Sequence, residues 1–371
     1  PVKAGQNVNV GYYYQADFTV NGQTVTSNSG STSKFESSDF TANADGTLTI
    51  TVNTLTYFTG ITVGTKVPYA ENIYVGADKE YKTINDALAA VRLMDRPNSE
   101  RVTINVDPGD YQEMLVIDVD NVTLKNTAAN PDTALINKGV NITENGVRVT
   151  SYYIHGYNYF SMTDDCKYDE EVLKTNKENG YLSFENPGSG TTKNSYWNAT
   201  VTVRGTGFEA DGIIFENSAN QYISTKEAND VVQEWTVGGK GTRPTTAGDT
   251  SVQNKSFVER AAAIAILGDK AYFNNCKFVG RQDTLYGASN IRAAFNKCTA
   301  MGGTDFIFGG MVATFYKSDI MMNTSEDKND VSYLTAAQQA SGRGYLMYDC
   351  NVVSTTPGVD TASEYVSKPG Y

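Results

Sequence analysis

Residues 280–287 read GRQDTLYG and residues 302–309 read GGTDFIFG, so two stretches that begin and end with glycine lie 22 positions apart. Each stretch carries an aspartate at its fourth position, Asp283 in the first and Asp305 in the second. A repeat of about 20 to 29 residues is typical of a solenoid, in which successive turns of the chain stack on one another. Matching residues then lie roughly 4.8 Å apart across a strand ladder, and the repeat therefore predicts two adjacent carboxylates.

The repeat extends upstream of these stretches. An aromatic residue, a cysteine and a glycine recur at the same step: Phe273, Cys276 and Gly280 match Phe295, Cys298 and Gly302. A weaker third copy follows after a slightly shorter step, at Phe315, Ser318 and Ile320. Two cysteines at one repeat position are close enough for a disulfide, but an unbonded, inward-facing stack of small side chains fits equally well.

A pair of neighbouring carboxylates suits acid–base chemistry. Because two like charges cannot easily ionise side by side, one pKa should rise, leaving one proton donor and one standing carboxylate. The alternative is that both aspartates cap the backbone of solvated turns. The neighbours favour chemistry, since Gln282 offers an amide that could hold an oxyanion, and Tyr286 and Phe308 offer rings that could stack on sugars.

The segments 282–286 (QDTLY) and 305–309 (DFIFG) resemble the two best-known signatures of the pectin methylesterases, carbohydrate esterases that remove methyl groups from homogalacturonan. The resemblance covers roughly residues 72–371. Four further stretches resemble family segments in the same order: Ile73–Ala90 (opening strand and helix), Gly109, Tyr111 and Glu113 (a G-x-Y-x-E box), Ala199–Ala219 (approach to the active site) and Gly344–Val353 (a later coil).

The resemblance implies an all-β fold, a right-handed parallel β-helix of the pectin-lyase-like type. It implies that Asp305 is the nucleophile, that Asp283 is the general acid and later the general base, and that Gln282 donates to the oxyanion. Tyr286 and Phe308 would bind substrate along the sugar groove. The expected protein is a secreted, monomeric pectinesterase that releases methanol from pectin and uses no cofactor and no metal.

Two departures from the family pattern concern the site. A second oxyanion glutamine is usual about one coil earlier, where this chain has Glu259–Leu267 (ERAAAIAIL), with Arg260 or Ala262 at the matching place. The arginine that pairs with the nucleophile lies in an L-G-R-P-W motif, which does not occur here. The last residues, 368–371 (KPGY), resemble the run before that motif, so we expect a domain truncated at its C-terminus.

Composition excludes several other classes. The chain has 371 residues, 33 glycines and 19% charged residues, which suits a turn-rich β protein. A net charge of −12 argues against nucleic acid and against a polybasic membrane anchor. No apolar run approaches the roughly 18 residues that span a bilayer. With no C-x-x-C pair and His155 as the single histidine, a zinc site is not expected.

Two domains are predicted, residues 1–70 and 71–371. The first has alternating strand sequence and an Asn21–Gly22 turn, typical of a small antiparallel β-sandwich fragment, with carbohydrate binding and a spacer role both open. Its aromatic residues suit core packing more than sugar stacking: Tyr12, Tyr13, Tyr14, Tyr57 and Phe58.

The second domain begins with a predicted helix that could cap the open end of the solenoid. Thr83 is its N-cap, and its apolar stripe is Ile84, Ala87, Leu88 and Val91. Residues 155–195 and 220–258 interrupt the repeats and are predicted to form cleft walls, with Trp197 and Trp235 in or beside them.

Other functions remain as alternatives. A serine hydrolase is disfavoured because no G-x-S-x-G elbow is present. A pectate lyase needs a calcium-binding carboxylate cluster, and an inverting hydrolase needs acids roughly 6.5 to 9.5 Å apart, farther than adjacent coils allow. The serious alternative is a non-catalytic module that binds pectin, because the family's arginine and one glutamine are not visible.

Overall fold

A computed structural model of the chain describes residues 1–32, 34–97, 99–153, 199–229, 244–254, 260–323, 331–339, 341–355 and 368–369. From residue 72 onward the chain winds into a right-handed parallel β-helix with three sheets, which confirms the predicted fold. Each full coil contributes one strand to sheet 1, then one to sheet 2, then one to sheet 3.

Strands are numbered in chain order. Sheet 1 consists of β8 (Asn72–Val75), β10 (Val102–Val106), β13 (Val122–Asn126), β18 (Glu209–Asp211), β21 (Ala271–Asn274), β24 (Arg292–Asn296), β27 (Val312–Tyr316) and β30 (Tyr345–Tyr348). Sheet 2 consists of β11 (Gly109–Tyr111), β16 (Val147–Ser151), β19 (Ile213–Asn217), β22 (Lys277–Val279), β25 (Thr299–Gly302), β28 (Asp319–Asn323) and β31 (Asn351–Thr355). Sheet 3 consists of β12 (Leu115–Ile117), β17 (Val201–Val203), β20 (Ile264–Ile266), β23 (Leu285–Gly287), β26 (Thr304–Gly309), β29 (Val331–Ala337) and β32 (Lys368–Pro369).

The repeated phenylalanines form a ladder inside the solenoid. Phe273 pairs with Phe295, and Phe295 pairs with Phe315, so the third copy takes its place despite its shorter step. Their rings are stacked, with centroids 5.0 Å and 4.4 Å apart and interplanar angles of 4° and 6°. All three side chains are buried, and this ladder therefore sets the register of the coils around residues 271–316.

The cysteines are not bonded to one another. Cys276 and Cys298 are buried free thiols within the core, and Cys350 is a partly buried free thiol. The unbonded stack is therefore the arrangement found. Cys166 and His155 lie outside the described residues.

The predicted capping helix is α1 (Ile84–Arg92). The hydroxyl of Thr83 accepts a hydrogen bond from the backbone N–H of Asp86 at 3.0 Å, and the predicted apolar stripe is buried against the first coil. Glu113, from the G-x-Y-x-E box, accepts bonds from the N–H groups of Ile84 and Asn85, each at 3.0 Å. This box residue thus satisfies the free donors at the start of the helix.

The N-terminal region pairs its strands antiparallel. One sheet joins β1 (Asn7–Tyr13), β4 (Phe35–Thr41) and β6 (Tyr57–Gly64), and the other joins β2 (Phe18–Val20), β3 (Gln23–Val25) and β5 (Ile50–Val52). Asn21 and Gly22 connect β2 and β3 with φ angles of 46° and 81°, as a type I′ turn requires. Tyr12 is fully buried and packs edge-on against Phe18, whereas Tyr57 is exposed.

Shorter elements complete the described chain: the pair β7 (Val67–Pro68) and β9 (Met94–Asp95), the pair β14 (Leu135–Ile136) and β15 (Asn141–Ile142), a one-turn helix (Thr225–Ala228), and 3-10 turns at Ser218–Asn220 and Ser251–Asn254. None of the helices in this described part is long and apolar enough to cross a membrane.

The described part of the second interruption, residues 220–229 and 244–254, is tied to sheet 2. The Tyr222 hydroxyl donates to Glu216 at 2.7 Å, and Arg148 pairs with the same carboxylate at 3.4 Å. Trp197 and Trp235 lie outside the described residues.

Candidate active site

The two aspartates lie where the chain passes from sheet 2 to sheet 3. Gln282 bridges to Thr304 in parallel register, and Tyr286 pairs with Phe308 on the same two coils. Asp283 and Asp305 lie between these pairs and are therefore opposite one another on adjacent coils. The backbone N–H of Asp283 donates to the Thr304 carbonyl at 3.0 Å, which fastens the two turns together.

Both aspartates adopt the left-handed backbone conformation, with φ of 57° at Asp283 and 50° at Asp305. Such angles are uncommon for residues other than glycine, but they recur at other turns of this solenoid, for example at Asn275, Lys297 and Lys317. Each turn has a glycine three residues earlier. A Cβ on Gly302 would overlap the Cβ of Phe306, and one on Gly280 would lie 2.6 Å from the Thr284 hydroxyl oxygen. Glycine at these positions allows the turn to close.

The two carboxylates differ in exposure and in charge environment. Asp283 is 5% exposed, and its Oδ2 lies 3.9 Å from Nε of Arg260. Asp305 is half-buried, and this burial raises the pKa of its carboxyl group, while the positive charge of Arg260 lowers it. Burial thus opposes ionisation of Asp305, and Arg260 favours it.

Gln282 lies in the ladder between Arg260 and Thr304. Its Oε1 is buried and has no hydrogen-bond partner among the described residues. The side chain is therefore held by its neighbours and not by a bond through its amide oxygen. The hydrogen bonds of a glutamine amide determine which of its two terminal positions carries the oxygen and which carries the nitrogen. An oxyanion bound here would therefore orient the amide of Gln282 with its N–H₂ group toward the negative charge.

The ladder also decides which residue stands where a second glutamine was expected. Arg260 is the residue opposite Gln282, whereas Ala262 is fully buried and accepts a bond from the N–H of Thr200. The offset between the coils is one position longer at Arg260 than where Ile264 pairs with Leu285. The register of the two coils therefore shifts by one residue between Arg260 and Ile264, and Arg260, not Ala262, is the residue opposite Gln282. A guanidinium thus stands where the family resemblance predicts an amide.

Arg260 is the functional candidate that the motifs did not single out as a charge partner. A signal for it exists in the sequence, because one repeat step counted back from Gln282 reaches Arg260. The pairing with Asp283 depends on the side chain reaching across one ladder position, which the repeat alone does not specify.

The two aromatic residues contact each other, with ring centroids 4.9 Å apart and a tilt of 49°. Tyr286 is half-buried, whereas Phe308 is only 4% exposed. Tyr286 also packs against a small cluster of buried alanines: Ala199, Ala262 and Ala265. The ring of Tyr286 is therefore the more accessible of the two, and Phe308 supports it from the next coil.

The described residues contain no group of three or more His, Cys, Asp or Glu side chains placed to hold a metal ion. The side chains brought together at this site are two carboxylates, one amide, one guanidinium and a phenol ring. This set can perform nucleophilic and acid–base catalysis.

The chain thus combines a parallel β-helix with two aspartates at the entry to sheet 3. The pectinesterase family model matches residues 224–370. Probable pectinesterase A of Neosartorya fischeri is 31% identical over 202 residues, 54% of this chain and 49% of that protein. A pectinesterase of Ralstonia solanacearum is 35% identical over 123 residues, 32% of this chain and 24% of that protein.

Solved structures agree on the fold. Pectin methylesterase PemA from Erwinia chrysanthemi has a TM-score of 0.50 at 23% identity, covering 77% of this chain and 67% of that one. Escherichia coli ybhc has a TM-score of 0.53 at 16% identity, covering 77% and 65%. These comparisons support the pectinesterase family for this chain, and the family model itself matches residues 224–370. The chain spans about half the length of the Neosartorya relative and less of the Ralstonia relative.

Proposed function

We propose that this chain is a pectinesterase that hydrolyses methyl esters of homogalacturonan, with Asp305 as nucleophile. The observation that carries the proposal is the in-register placement of Asp283 and Asp305 on adjacent coils, within the stretch that matches the pectinesterase family model. The nearby cation and the neighbouring amide add support.

In the first half of the reaction, a carboxylate oxygen of Asp305 attacks the ester carbonyl carbon, and its electrons form a new C–O bond. The negative charge that develops on the carbonyl oxygen is stabilised by the amide of Gln282. The bond to the methoxy oxygen then breaks, and protonated Asp283 gives its proton to that oxygen, so methanol leaves. The product is an anhydride between Asp305 and the galacturonate.

In the second half, Asp283 is a carboxylate and takes a proton from water. The resulting hydroxide attacks the galacturonate carbonyl carbon of the anhydride, and Asp305 leaves as a carboxylate. The proton held by Asp283 restores the starting state. The two acids therefore need opposite protonation states, as expected for a close pair whose environments differ.

Substrate binding is proposed to use the Tyr286 ring, with Phe308 behind it. An aromatic face offers apolar surface to the C–H groups of a sugar ring. We also propose that the enzyme acts outside the cell as a monomer on pectin, without a cofactor. The division near residue 70, where antiparallel pairing gives way to parallel pairing, is proposed as the boundary between the β-sandwich-like part and the β-helix.

The proposal is tested by incubating the chain with highly methylated pectin and measuring methanol together with the acid released. The matched control carries both Asp283→Asn and Asp305→Asn. We expect equimolar methanol and acid from the unaltered chain and neither from the control. Unsaturated, ultraviolet-absorbing uronides would instead identify a lyase, and retention on pectin with no methanol at any pH would identify a binding module.

A further inference from the structure

We propose that Arg260 is the positioning cation of the carboxylate pair, reaching from the preceding coil to hold Asp283 in place and to keep Asp305 available as an anion. This inference rests on the proposed function for its catalytic meaning. Its structural core, the action of one guanidinium on two stacked carboxylates, can be tested without turnover.

Arg260 occupies a defined position in the ladder. It bridges to Gln282, and Gln282 bridges in turn to Thr304, so three successive coils are in register immediately before the two aspartates. The N–H of Ala261 donates to the Gln282 carbonyl at 3.1 Å, which fixes the backbone next to Arg260. The guanidinium therefore extends from a backbone position that hydrogen bonds fix, on the coil that precedes Asp283.

The side chain of Arg260 extends to Asp283. Nε of Arg260 lies 3.9 Å from Oδ2 of Asp283, a carboxylate that is 5% exposed. In the proposed reaction Asp283 becomes an anion once it has given its proton to methanol, and an anion that is nearly buried beside a second acid is unfavourable unless a cation compensates it. The side chain of Arg260 is itself 45% exposed, so solvent partly screens its charge.

The charge of Arg260 also acts on Asp305. Burial raises the pKa of this carboxyl, and the charge that opposes the rise is that of Arg260. The other charged side chain of this turn, Arg281, is buried and donates to the Gln253 carbonyl at 2.7 Å. Arg260 thus lies 3.9 Å from Asp283 and supplies a positive charge that also acts on Asp305.

The experiment compares Arg260→Gln with the unaltered chain. A matched control is Arg292→Gln. It removes an exposed arginine of sheet 1 that pairs with Asp269. The pH dependence of methanol release is recorded, and the Asp305 carboxyl is titrated by ¹³C NMR, with Asp305→Asn used to assign its signal.

For Arg260→Gln we expect the acidic limb of the rate profile and the Asp305 titration to move upward together by about one pH unit, equivalent to a tenfold loss of rate below the limb. Arg260→Lys should recover part of the shift, and Arg292→Gln should give the unaltered profile. If Arg260→Gln does not fold, Arg260→Met repeats the test with the aliphatic stem retained.

An Asp305 titration that is unchanged in Arg260→Gln would overturn this inference, even if activity falls, because the residue would then be a structural ion pair only. If the unaltered chain releases no methanol, the proposed function fails, and the carboxyl titration still decides the role of Arg260. A shift in titration with no activity would retain the electrostatic role and reject the catalytic one.

Discussion

The turn at residues 280–287 and the turn at residues 302–309 are two copies of one backbone design with different surroundings. Both place an aspartate at positive φ after a glycine-dependent bend. Asp283 is nearly buried beside a guanidinium, whereas Asp305 is half-buried and its pKa is raised by that burial. Because the local sequences are so similar, the difference between the two acids arises from the coils stacked on either side.

The strongest test of this difference replaces each acid separately. Asp305→Asn removes the proposed nucleophile and should lower kcat by about 10⁴-fold or more, whereas Asp283→Asn removes an acid–base group and should cost about 10² to 10⁴-fold. Methanol release under single-turnover conditions measures both, and circular dichroism controls for folding. Equal losses in the two variants would mean that the two turns are not functionally distinct.

The residues just before the aspartates provide a second comparison. Gln282→Ala removes the proposed oxyanion donor and should lower kcat by about 10² to 10³-fold with little change in KM. Thr304→Ala, at the equivalent position one coil later, should stay within about threefold of the unaltered chain, since its side chain is given no catalytic role. A loss of kcat larger than threefold in Thr304→Ala would contradict the assignment of the oxyanion donor to Gln282.

The two glycines should differ in their effect on stability. Gly302→Ala forces its new methyl group against the Cβ of Phe306 and should cost about 3 kcal/mol, the upper end for overpacking. In Gly280→Ala the nearest atom is the Thr284 hydroxyl oxygen, and we expect a cost of about 1 kcal/mol. Urea denaturation measures both, and a reversed order would show that the second turn is the more adaptable one.

The smallest expected effect concerns stability and pH. Because the pKa of Asp305 is raised in the folded state, its contribution to stability is fully present below the unfolded pKa and is lost as pH rises through the folded pKa. Asp305→Asn imitates the protonated acid and should raise the melting temperature at pH 7 by on the order of 1 °C, since solvent screens the site. The gain should vanish near pH 3. A lower melting temperature at pH 7 would contradict the assigned direction.

Much of this architecture could be predicted from the repeat. The longer and the shorter repeat steps both reappear as strand pairings, and Thr83 caps the predicted helix. The repeat also placed Asp283 and Asp305 at matching positions of adjacent coils, and the strand pairings on either side of them have this register. These features are encoded locally or by simple periodicity, which sequence displays directly.

Features that depend on contacts between coils could not be predicted. The choice between Arg260 and Ala262 required the one-residue irregularity that the ladder reveals. The burial of Phe308 depends on what covers it, and periodicity says nothing of that. The sequence also left the bonding of Cys276 and Cys298 open, because adjacency permits a disulfide without requiring one.

The carboxylate of Glu113 joins the capping helix to the coil beneath it. It accepts hydrogen bonds from two backbone N–H groups of the helix and is itself only 7% exposed. A linear stack of coils can unravel from an uncovered end, one winding after another. Loss of the Glu113 hydrogen bonds would uncover the first coil and would allow local unfolding to begin there, several coils away from the aspartates. The resistance of the β-helix to unfolding from this end thus depends on Glu113, a residue with no role in the proposed chemistry.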